Sequence, residues 1–163
     1  MLHGSRVTLR AIRTQEFDRL YEARVLSATW HSTVDADTLR KRMAHSGEWF
    51  EGRLELAIES DGRLVGTIQA RATAGFSPPG VCELGIELFN EARGKGVGTE
   101  AVQLITEWLL ANDYPRVQAT TDVRNAPMRR VLEKLGFEEE GVLRAFMPDG
   151  DDRADYVLYA ITR

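Results

Sequence analysis

The sequence has 163 residues, 43% of them hydrophobic and 28% charged, a composition typical of one globular domain over residues 1–163. A net charge of −4 argues against a main role in nucleic-acid binding. The single cysteine excludes an internal disulfide framework, and three scattered histidines give no metal-ligand spacing. No apolar run approaches the roughly 20 residues of a membrane span, and the first residues lack a signal-peptide layout. We therefore expect a soluble cytoplasmic protein without a metal.

The first third of the chain is expected to form a strand and two helices. Residues 7–12 alternate as a strand does. Thr14 is expected to cap the first helix. Its apolar positions are Phe17, Leu20, Tyr21 and Val25. The second helix is expected to begin near Asp35 or Asp37. We expect it to carry Leu39, Met43, Trp49 and Phe50.

A β-hairpin is predicted next, because Asp61-Gly62 is a strong turn signal between strands at 54–58 and 64–68. The stretch 75–80 is rich in glycine and proline and predicts a loop. Residues 81–89 are expected to form another strand.

The last part of the chain alternates helices and strands. Apolar residues at three- and four-residue intervals predict a helix from Gly98 to about Asn112, followed by a strand at 117–121. Asn125 and Pro127 are expected to begin a helix that ends at Gly136. Closing strands are predicted at 137–143 and 156–161, joined across 148–152. This order predicts an α/β fold with mixed strand directions.

The chemical signal is a glycine-rich stretch at 93–99, between a strand and the best-defined helix. Its glycines are Gly94, Gly96 and Gly98. Amides at a helix start lack internal partners, and Arg93 and Lys95 add positive charge, so the stretch predicts phosphate binding. A tight strand-to-helix turn is the alternative interpretation. Neither the nucleotide-triphosphate loop nor the dinucleotide pattern fits this glycine spacing.

These residues resemble the GNAT superfamily of acetyl-CoA-dependent N-acetyltransferases. Arg93, Gly96 and Gly98 match its glycine signature, while Asn125 and the sequence 133–137 match its second landmark. Stretches that resemble the RimJ/RimL-like branch are 7–13, 83–86 and 140–144. The resemblance implies a single-domain fold with a mostly antiparallel sheet of about seven strands flanked by about four helices.

The resemblance also implies where acetyl-CoA binds. The loop at 93–99 would hold the pyrophosphate, and the strand end around Ile86 to Leu88 would pair with the pantetheine arm. That strand is expected to splay from its neighbour, and Asn125 is expected to bond the same arm or simply to begin a helix. The implied coenzyme-binding residues are Ile86, Leu88, Arg93, Gly94, Lys95, Gly96, Val97, Gly98, Thr99 and Asn125.

The implied reaction is direct attack of a primary amine on the thioester, which needs a proton acceptor because alkyl amines are mostly protonated at neutral pH. Glu83 is the first candidate, and Glu87 is the reserve because strand alternation places both on one face. A charged residue facing solvent at a strand edge is the alternative for either.

The acid for the leaving thiolate is less well defined. The two positions where relatives carry a tyrosine or a serine are Leu132 and Met128 here. Tyr156 and Tyr159 are possible substitutes, although strand tyrosines more often pack in a core or at its rim. Water could also protonate the thiolate.

Other chemically suggestive residues are assigned structural roles. Cys82 is expected to be a buried apolar residue rather than an acyl carrier. Trp108 is expected to pack in the core. Candidates for lining an acceptor pocket are Trp30, Trp49 and Phe50. A solvated turn is favoured over an acceptor site for Asp149, Asp151, Asp152 and Asp155.

Three functions remain possible at this point. An N-acetyltransferase would act on a protein N-terminus or on a small amine such as an amino acid, a polyamine or an aminoglycoside. The rivals are a catalytically idle coenzyme A-binding module and, more remotely, a nucleotide-binding regulator. A homodimer is possible, and no nucleic-acid or membrane partner is expected.

Overall fold

A computed structural model describes residues 1–26, 35–72 and 78–163. Within these ranges the four α-helices are α1 (Phe17–Leu26), α2 (Ala36–Ala44), α3 (Val97–Ala111) and α4 (Ala126–Lys134). Short 3-10 turns at Thr14–Glu16 and Asn90–Ala92 precede α1 and α3. The nine strands of the same ranges are β1 (Leu2–His3), β2 (Thr8–Arg10), β3 (Trp49–Phe50), β4 (Arg53–Ser60), β5 (Arg63–Arg71), β6 (Val81–Leu88), β7 (Arg116–Asp122), β8 (Glu138–Asp149) and β9 (Asp152–Thr162).

The strands form one mixed sheet in the order β1-β2-β4-β5-β6-β7-β9-β8, with β3 paired to β4. β6 and β7 run parallel, and the other neighbouring pairs are antiparallel. The predicted α/β class and mostly antiparallel sheet are confirmed. The strand number exceeds the expected seven because β1 and β3 have two residues each, too few to show an alternating pattern.

Helices cover both faces of the sheet. On the face that we call the α3–α4 face, the larger core joins those helices to β-strand residues such as Leu56, Ile68 and Val117. On the opposite, α1–α2 face, a smaller core packs Leu20 and Leu39 against Ala57, with Met43, Leu64 and Ile12 completing the cluster. A side chain is therefore assigned to one of two separate environments by its position in the strand alternation.

The first helix differs from the prediction in two respects. Arg13, not Thr14, precedes the first turn, where the Glu16 carboxylate accepts its backbone N–H at 2.7 Å. Val25 is 57% exposed rather than buried. Arg24, seven residues after Phe17, takes the sheet-facing position instead, because helical periodicity returns to the same face there.

The second helix is confirmed but is shorter than predicted. Asp35 caps it by accepting the N–H groups of Asp37 and Thr38 at 3.1 and 2.9 Å. The expectation that Trp49 and Phe50 lie on this helix is wrong, since they form β3. The helix ends because Gly47, at a φ of 95°, reverses the chain toward β4.

The later elements follow the predicted order. α3 begins and ends one residue earlier than predicted. Asn125 caps α4, and Pro127 lies in its first turn. The closing strands are longer than predicted, since β8 continues through Pro148 on the edge of the sheet, where a missing N–H is tolerated. Trp30 and residues 75–77 of the predicted loop lie outside the described residues.

Candidate active site

The sheet opens between its two parallel strands. Residues 81–84 of β6 pair with residues 116–119 of β7, and the pairing register ends at Leu84 and Ala119. β6 continues to Leu88 on β5, while β7 continues to Asp122 on β9. The two strands therefore diverge, and residues 85–88 form one wall of a slot in the described part of the sheet.

The glycine loop lies where β6 leads into α3. Gly94 and Gly96 have φ values of 72° and 80°, a left-handed conformation that favours glycine. Gly96 is the residue that caps α3, and it offers no side-chain acceptor to the first-turn amides. Those amides and the positive end of the helix dipole are suited to an anionic ligand.

Three cations surround this loop. Arg93 and Lys95 are exposed, and the Arg93 Nε donates to the Leu88 carbonyl at 3.2 Å. The third, Arg6, donates to the Lys95 carbonyl at 3.3 Å. The sequence analysis missed Arg6, because 89 residues separate it from Lys95 and only the fold brings them together.

Gly98 has a packing role in addition to its place in the motif. A Cβ at this position would lie 3.1 Å from Leu88 Cδ1 and 3.9 Å from Ile86 Cδ1. The side chains of Ile86 and Leu88 thus face α3, and the glycine lets the helix approach the strand closely. Of the remaining loop residues, Val97 is buried and Thr99 is half-buried.

Asn125 lies beyond the end of β7, next to the slot. Its Oδ1 accepts the Met128 N–H at 3.3 Å, and its Nδ2 donates to the Thr121 hydroxyl at 3.0 Å. The expected helix-entry role is confirmed. Both Oδ1 and Nδ2 of Asn125 can form one further hydrogen bond, which a ligand could use.

Glu83 lies on the α1–α2 face, at the point where the slot begins. Its carboxylate accepts a hydrogen bond from Arg71 at 2.8 Å and one from the Thr120 hydroxyl at 3.4 Å. The side chain remains 28% exposed, so a ligand can reach it from this face. The sequence analysis did not identify Arg71 as its partner, since it lies on a different strand.

Glu87 shares this face with Glu83. The β5–β6 register runs without a shift from Arg71 opposite Glu83 to Thr67 opposite Glu87, as the alternation predicts. The Glu87 carboxylate is 4.0 Å from the Nε of Arg24 and 36% exposed.

The two tyrosines of β9 have different surroundings. Tyr156 pairs with Asp122 at the far end of β7, on the same face as Glu83. Burial, and then the negative charge of Asp122, raise the pKa of Tyr156 above its ordinary value. Tyr159 is buried on the opposite face, where its hydroxyl contacts Arg129 and Glu133 of α4. Of the two tyrosines, Tyr156 is the one that shares a face with Glu83.

The two positions where the resemblance implies other donors carry apolar side chains that pack in the core. Leu132 is fully buried, and Met128 packs against the larger core. Neither can donate a proton.

Several residues have the structural roles that the sequence indicates. Cys82 is fully buried, and burial raises the pKa of its thiol to about 12, so the thiolate is not available. Trp108 packs against the larger core. Trp49 stacks on Tyr114 at 5.3 Å and also packs against that core, whereas Phe50 lines a small cavity on the α1–α2 face. Three acidic side chains of the closing hairpin, Asp149, Asp151 and Asp152, lie in or beside an exposed turn. The expected turn position is wrong for Asp155, which is half-buried within β9 and accepts the Ala145 N–H at 2.7 Å.

Two features are absent from residues 1–26, 35–72 and 78–163. No three or more His, Cys, Asp or Glu side chains lie close enough together to hold a metal ion. No helix in the same part of the chain is long and apolar enough to cross a membrane.

Comparison with known proteins gives a family match over most of the chain. Residues 6–138 match the family described as the acetyltransferase (GNAT) domain. A relative from Bacillus subtilis (strain 168), the SPbeta prophage-derived uncharacterized N-acetyltransferase YokL, is 29% identical over 177 residues. The alignment covers 98% of this chain and 92% of the relative.

Solved structures share the fold at low sequence identity. The Microcin C7 self immunity acetyltransferase MccE, in complex with acetyl-CoA and AMP, superposes with a TM-score of 0.80 at 19% identity, covering 98% of this chain and 94% of its own. RimL, a ribosomal L7/L12 alpha-N-protein acetyltransferase in complex with coenzyme A, gives 0.78 at 17% identity, with coverage of 98% and 95%. At these identities the likeness shows the fold alone.

Proposed function

Because the chain belongs to the GNAT family of N-acetyltransferases, we propose that it transfers the acetyl group of acetyl-CoA to a primary amine by direct attack on the thioester. The observation that carries the proposal is the divergence of β6 from β7 after Leu84 and Ala119. The slot lies beside the start of α3, where Gly96 supplies no side-chain acceptor, so one elongated ligand with an anionic end could occupy both.

The coenzyme half of the site is assigned to main-chain groups. Loop residues 93–99 would hold the pyrophosphate through the first amides of α3, with Arg6, Arg93 and Lys95 supplying positive charge. The main chain of Ile86 to Leu88 would pair with the pantetheine arm as a further strand would, and Asn125 would bond that arm from the opposite side. The structures of MccE with acetyl-CoA and of RimL with coenzyme A support this assignment by their shared fold.

Glu83 is the proposed proton acceptor. It lies at the end of the paired segment of β6, is partly exposed, and is oriented by Arg71. An amine that enters from the α1–α2 face passes this carboxylate before it reaches the slot, and Glu83 would take its proton directly or through a water. Glu87, four residues and therefore two alternation periods further along β6, is the reserve.

Tyr156 is the proposed donor to the departing thiolate. Its raised pKa keeps the phenol protonated at neutral pH, which is the form that a donor needs. It lies on the face that holds Glu83, and the two side chains come from opposite sides of the slot. Acetyl-CoA supplies the activated acetyl group, and the chain contributes positioning and proton transfer.

A thiol-release assay tests the proposal. The intact protein is incubated with acetyl-CoA and a panel of primary amines and short peptides with free N-termini, and each product is identified by mass spectrometry. We expect release of coenzyme A with at least one acceptor, accompanied by an N-acetylated product. Tight acetyl-CoA binding without turnover on any acceptor would contradict the transfer step and favour a binding module.

The finer features remain predictions. The family resemblance and the fold shared with RimL support a place in the RimJ/RimL-like branch. The choice between a protein N-terminus and a small amine, the cytoplasmic location and the homodimer are proposals that the assay above, fractionation and light scattering would test.

A further inference from the structure

A second cavity lies on the α1–α2 face, apart from the glycine loop. It has a volume of about 200 Å³ and lies between the end of α2, β3 and the start of β4. Its lining residues are Arg42, His45, Phe50, Glu51, Arg53 and Glu55. Neither the family match nor the resemblance assigns it a role.

Two arginines of this cavity make no close ion pair within the described part of the chain. Arg42 and Arg53 are half-buried, and neither has a hydrogen bond or ion pair to any residue in the described ranges. Residues 27–34 and 73–77 contain no aspartate or glutamate that could supply a counter-ion. An arginine held out of water without an anion is unfavourable, so the pair is suited to an anionic ligand.

The carboxylates nearby are already paired. Glu51 accepts from Lys41 at 2.8 Å, and Glu55 accepts from Arg24 at 2.5 Å. Burial, and then repulsion from Arg42, lower the pKa of Arg53 to about 10. The surroundings of Arg53 are therefore more cationic than anionic, and a bound oxyanion would relieve the repulsion between the two guanidinium groups.

Glu55 adds a second unmet requirement. Its Oε2 is buried and has no hydrogen-bond partner among the described residues, while its other oxygen is taken by Arg24. An N–H or O–H group next to the oxyanion would satisfy this acceptor. A peptide provides that combination, because an amide N–H lies beside its terminal carboxylate.

Arg53 of the cavity lies in the same row of paired strand residues as Glu83, the proposed proton acceptor. Arg53 is opposite Arg71, and Arg71 is opposite Glu83, so two strand spacings, about 10 Å, separate the cavity from the slot. An extended chain spans that distance in about three residues.

We propose that this cavity is an acceptor subsite that binds an oxyanion, a carboxylate or a phosphate, carried about 10 Å from the reacting amine. Arg42 and Arg53 bind the oxyanion, and Glu55 accepts a donor beside it. The assignment of the cavity to the acceptor rests on the proposed acetyl transfer. The subsite selects acidic acceptors, such as short peptides with a free carboxylate, over polyamines and other purely cationic amines.

Binding is tested first without acetyl-CoA. The guanidinium Nε–H resonances of ¹⁵N-labelled protein are followed while acetate or inorganic phosphate is added. We expect saturable shifts of the Arg42 and Arg53 signals and at least about tenfold weaker binding in both Arg53→Gln and Arg42→Gln, the loss of one charge-assisted hydrogen bond. Arg144→Gln, which removes an exposed arginine of β8, is the control and should bind as the wild type does.

Absence of saturable shifts, or equal affinity in wild type and both cavity variants, would overturn the subsite. The two probes show whether a carboxylate or a phosphate is preferred. Arg53 and Arg42 lie on different elements, so a folding defect in one variant leaves the other to decide the result.

Transfer is tested second, with three peptides that share a free N-terminus. One is Ser-Ala-Ala with a free carboxylate, one is its C-terminal amide, and one is Ser-Ala-phosphoserine amide. We expect kcat/KM to favour at least one anionic peptide over the neutral amide by about tenfold in the wild type, and the ratio to fall to about one in Arg53→Gln. The same ratio in both proteins would overturn the proposal. Loss of all transfer and of acetyl-CoA binding would instead contradict the proposed function. The resonance titration would still test the subsite, because it uses no acetyl-CoA.

Discussion

The two sides of the slot are built in different ways. The proposed coenzyme side depends mainly on main-chain groups of residues 93–99 and of the strand that precedes them, to which the side chains of Arg6, Arg93, Lys95 and Asn125 add charge and a hydrogen bond. The acceptor side depends on side chains from six elements, α1, α2, β4, β5, β6 and β9, which the fold brings to one face. A main-chain site forms where glycines precede a helix. A side-chain site forms only when the strands pair in the correct register and bring distant residues together.

This difference predicts how each side responds to change. A substitution in the loop should abolish binding of the coenzyme as a whole, because several amides act on one group. A substitution on the acceptor face should alter turnover or acceptor choice and leave coenzyme affinity unchanged.

Gly96→Trp should weaken acetyl-CoA binding by at least about 1,000-fold, since it removes a left-handed glycine and several amide contacts with the pyrophosphate. A side chain there would also meet Arg6 Nη1, 3.2 Å from the position of the new Cβ. Calorimetric titration measures the loss. Gly150→Trp is the control, because Gly150 has a φ of 63° in an open turn far from the loop, and it should bind normally. Equal affinity in the two variants would contradict the loop assignment.

Glu83→Gln should lower kcat by about 100-fold with an unchanged dissociation constant for acetyl-CoA, because it removes a proton acceptor but no coenzyme contact. Steady-state kinetics with an acceptor from the panel measures the effect. Glu138→Gln, at an exposed position of β8, should leave kcat unchanged. A normal kcat in Glu83→Gln, together with a large loss in Glu87→Gln, would transfer the role to the reserve carboxylate.

Tyr156→Phe should lower kcat by about tenfold, a modest loss because a thiolate is a tolerable leaving group. The raised pKa of Tyr156 means that its donor form is present throughout neutral pH and disappears only above the ordinary value for tyrosine. The wild-type kcat profile should therefore show no decline from this group below about pH 10. A decline at lower pH that the substitution removes would show that the phenol ionises more readily than its burial implies.

Glu100→Gln should destabilise the fold by about 1 kcal/mol, because this carboxylate anchors the turn between β1 and β2 to the first turn of α3. It accepts the backbone N–H groups of Ser5 and Arg6, the latter at 3.1 Å. Burial alone would raise the pKa of Glu100, but these hydrogen bonds, with the Ser5 hydroxyl, outweigh it and lower the pKa.

The sign of the pH dependence follows from that lowered pKa. The stabilisation by Glu100 is present above the unfolded-state value, about 4.3, and is lost as the pH falls through the lower folded-state value. Urea unfolding of wild type and Glu100→Gln should therefore differ at pH 7, and the difference should shrink as the pH is lowered below about 4. A constant difference across that range would contradict the anchor.

The order of elements could be predicted from the sequence because periodicity and turn residues are local signals. Asn125 and Pro127 mark the start of α4, and the glycine spacing marks the loop, without reference to any distant residue. The exposure of Val25 could not be predicted, since it depends on the pairing of Arg24 in α1 with Glu55 of β4. Arg71 and Arg6 were missed because distant residues bring them to the site: Arg71 reaches Glu83 through strand pairing, and Arg6 reaches the loop because the turn between β1 and β2 contacts α3.

Amide hydrogen exchange of the protein with and without acetyl-CoA decides whether the coenzyme binds through the main chain, because exchange reports on individual N–H groups along β6 and the start of α3. If the coenzyme binds in this way, exchange in the complex should become slower mainly at residues 85–88 and 94–99. Unchanged exchange in both segments, under conditions where acetyl-CoA is shown to bind, would contradict it.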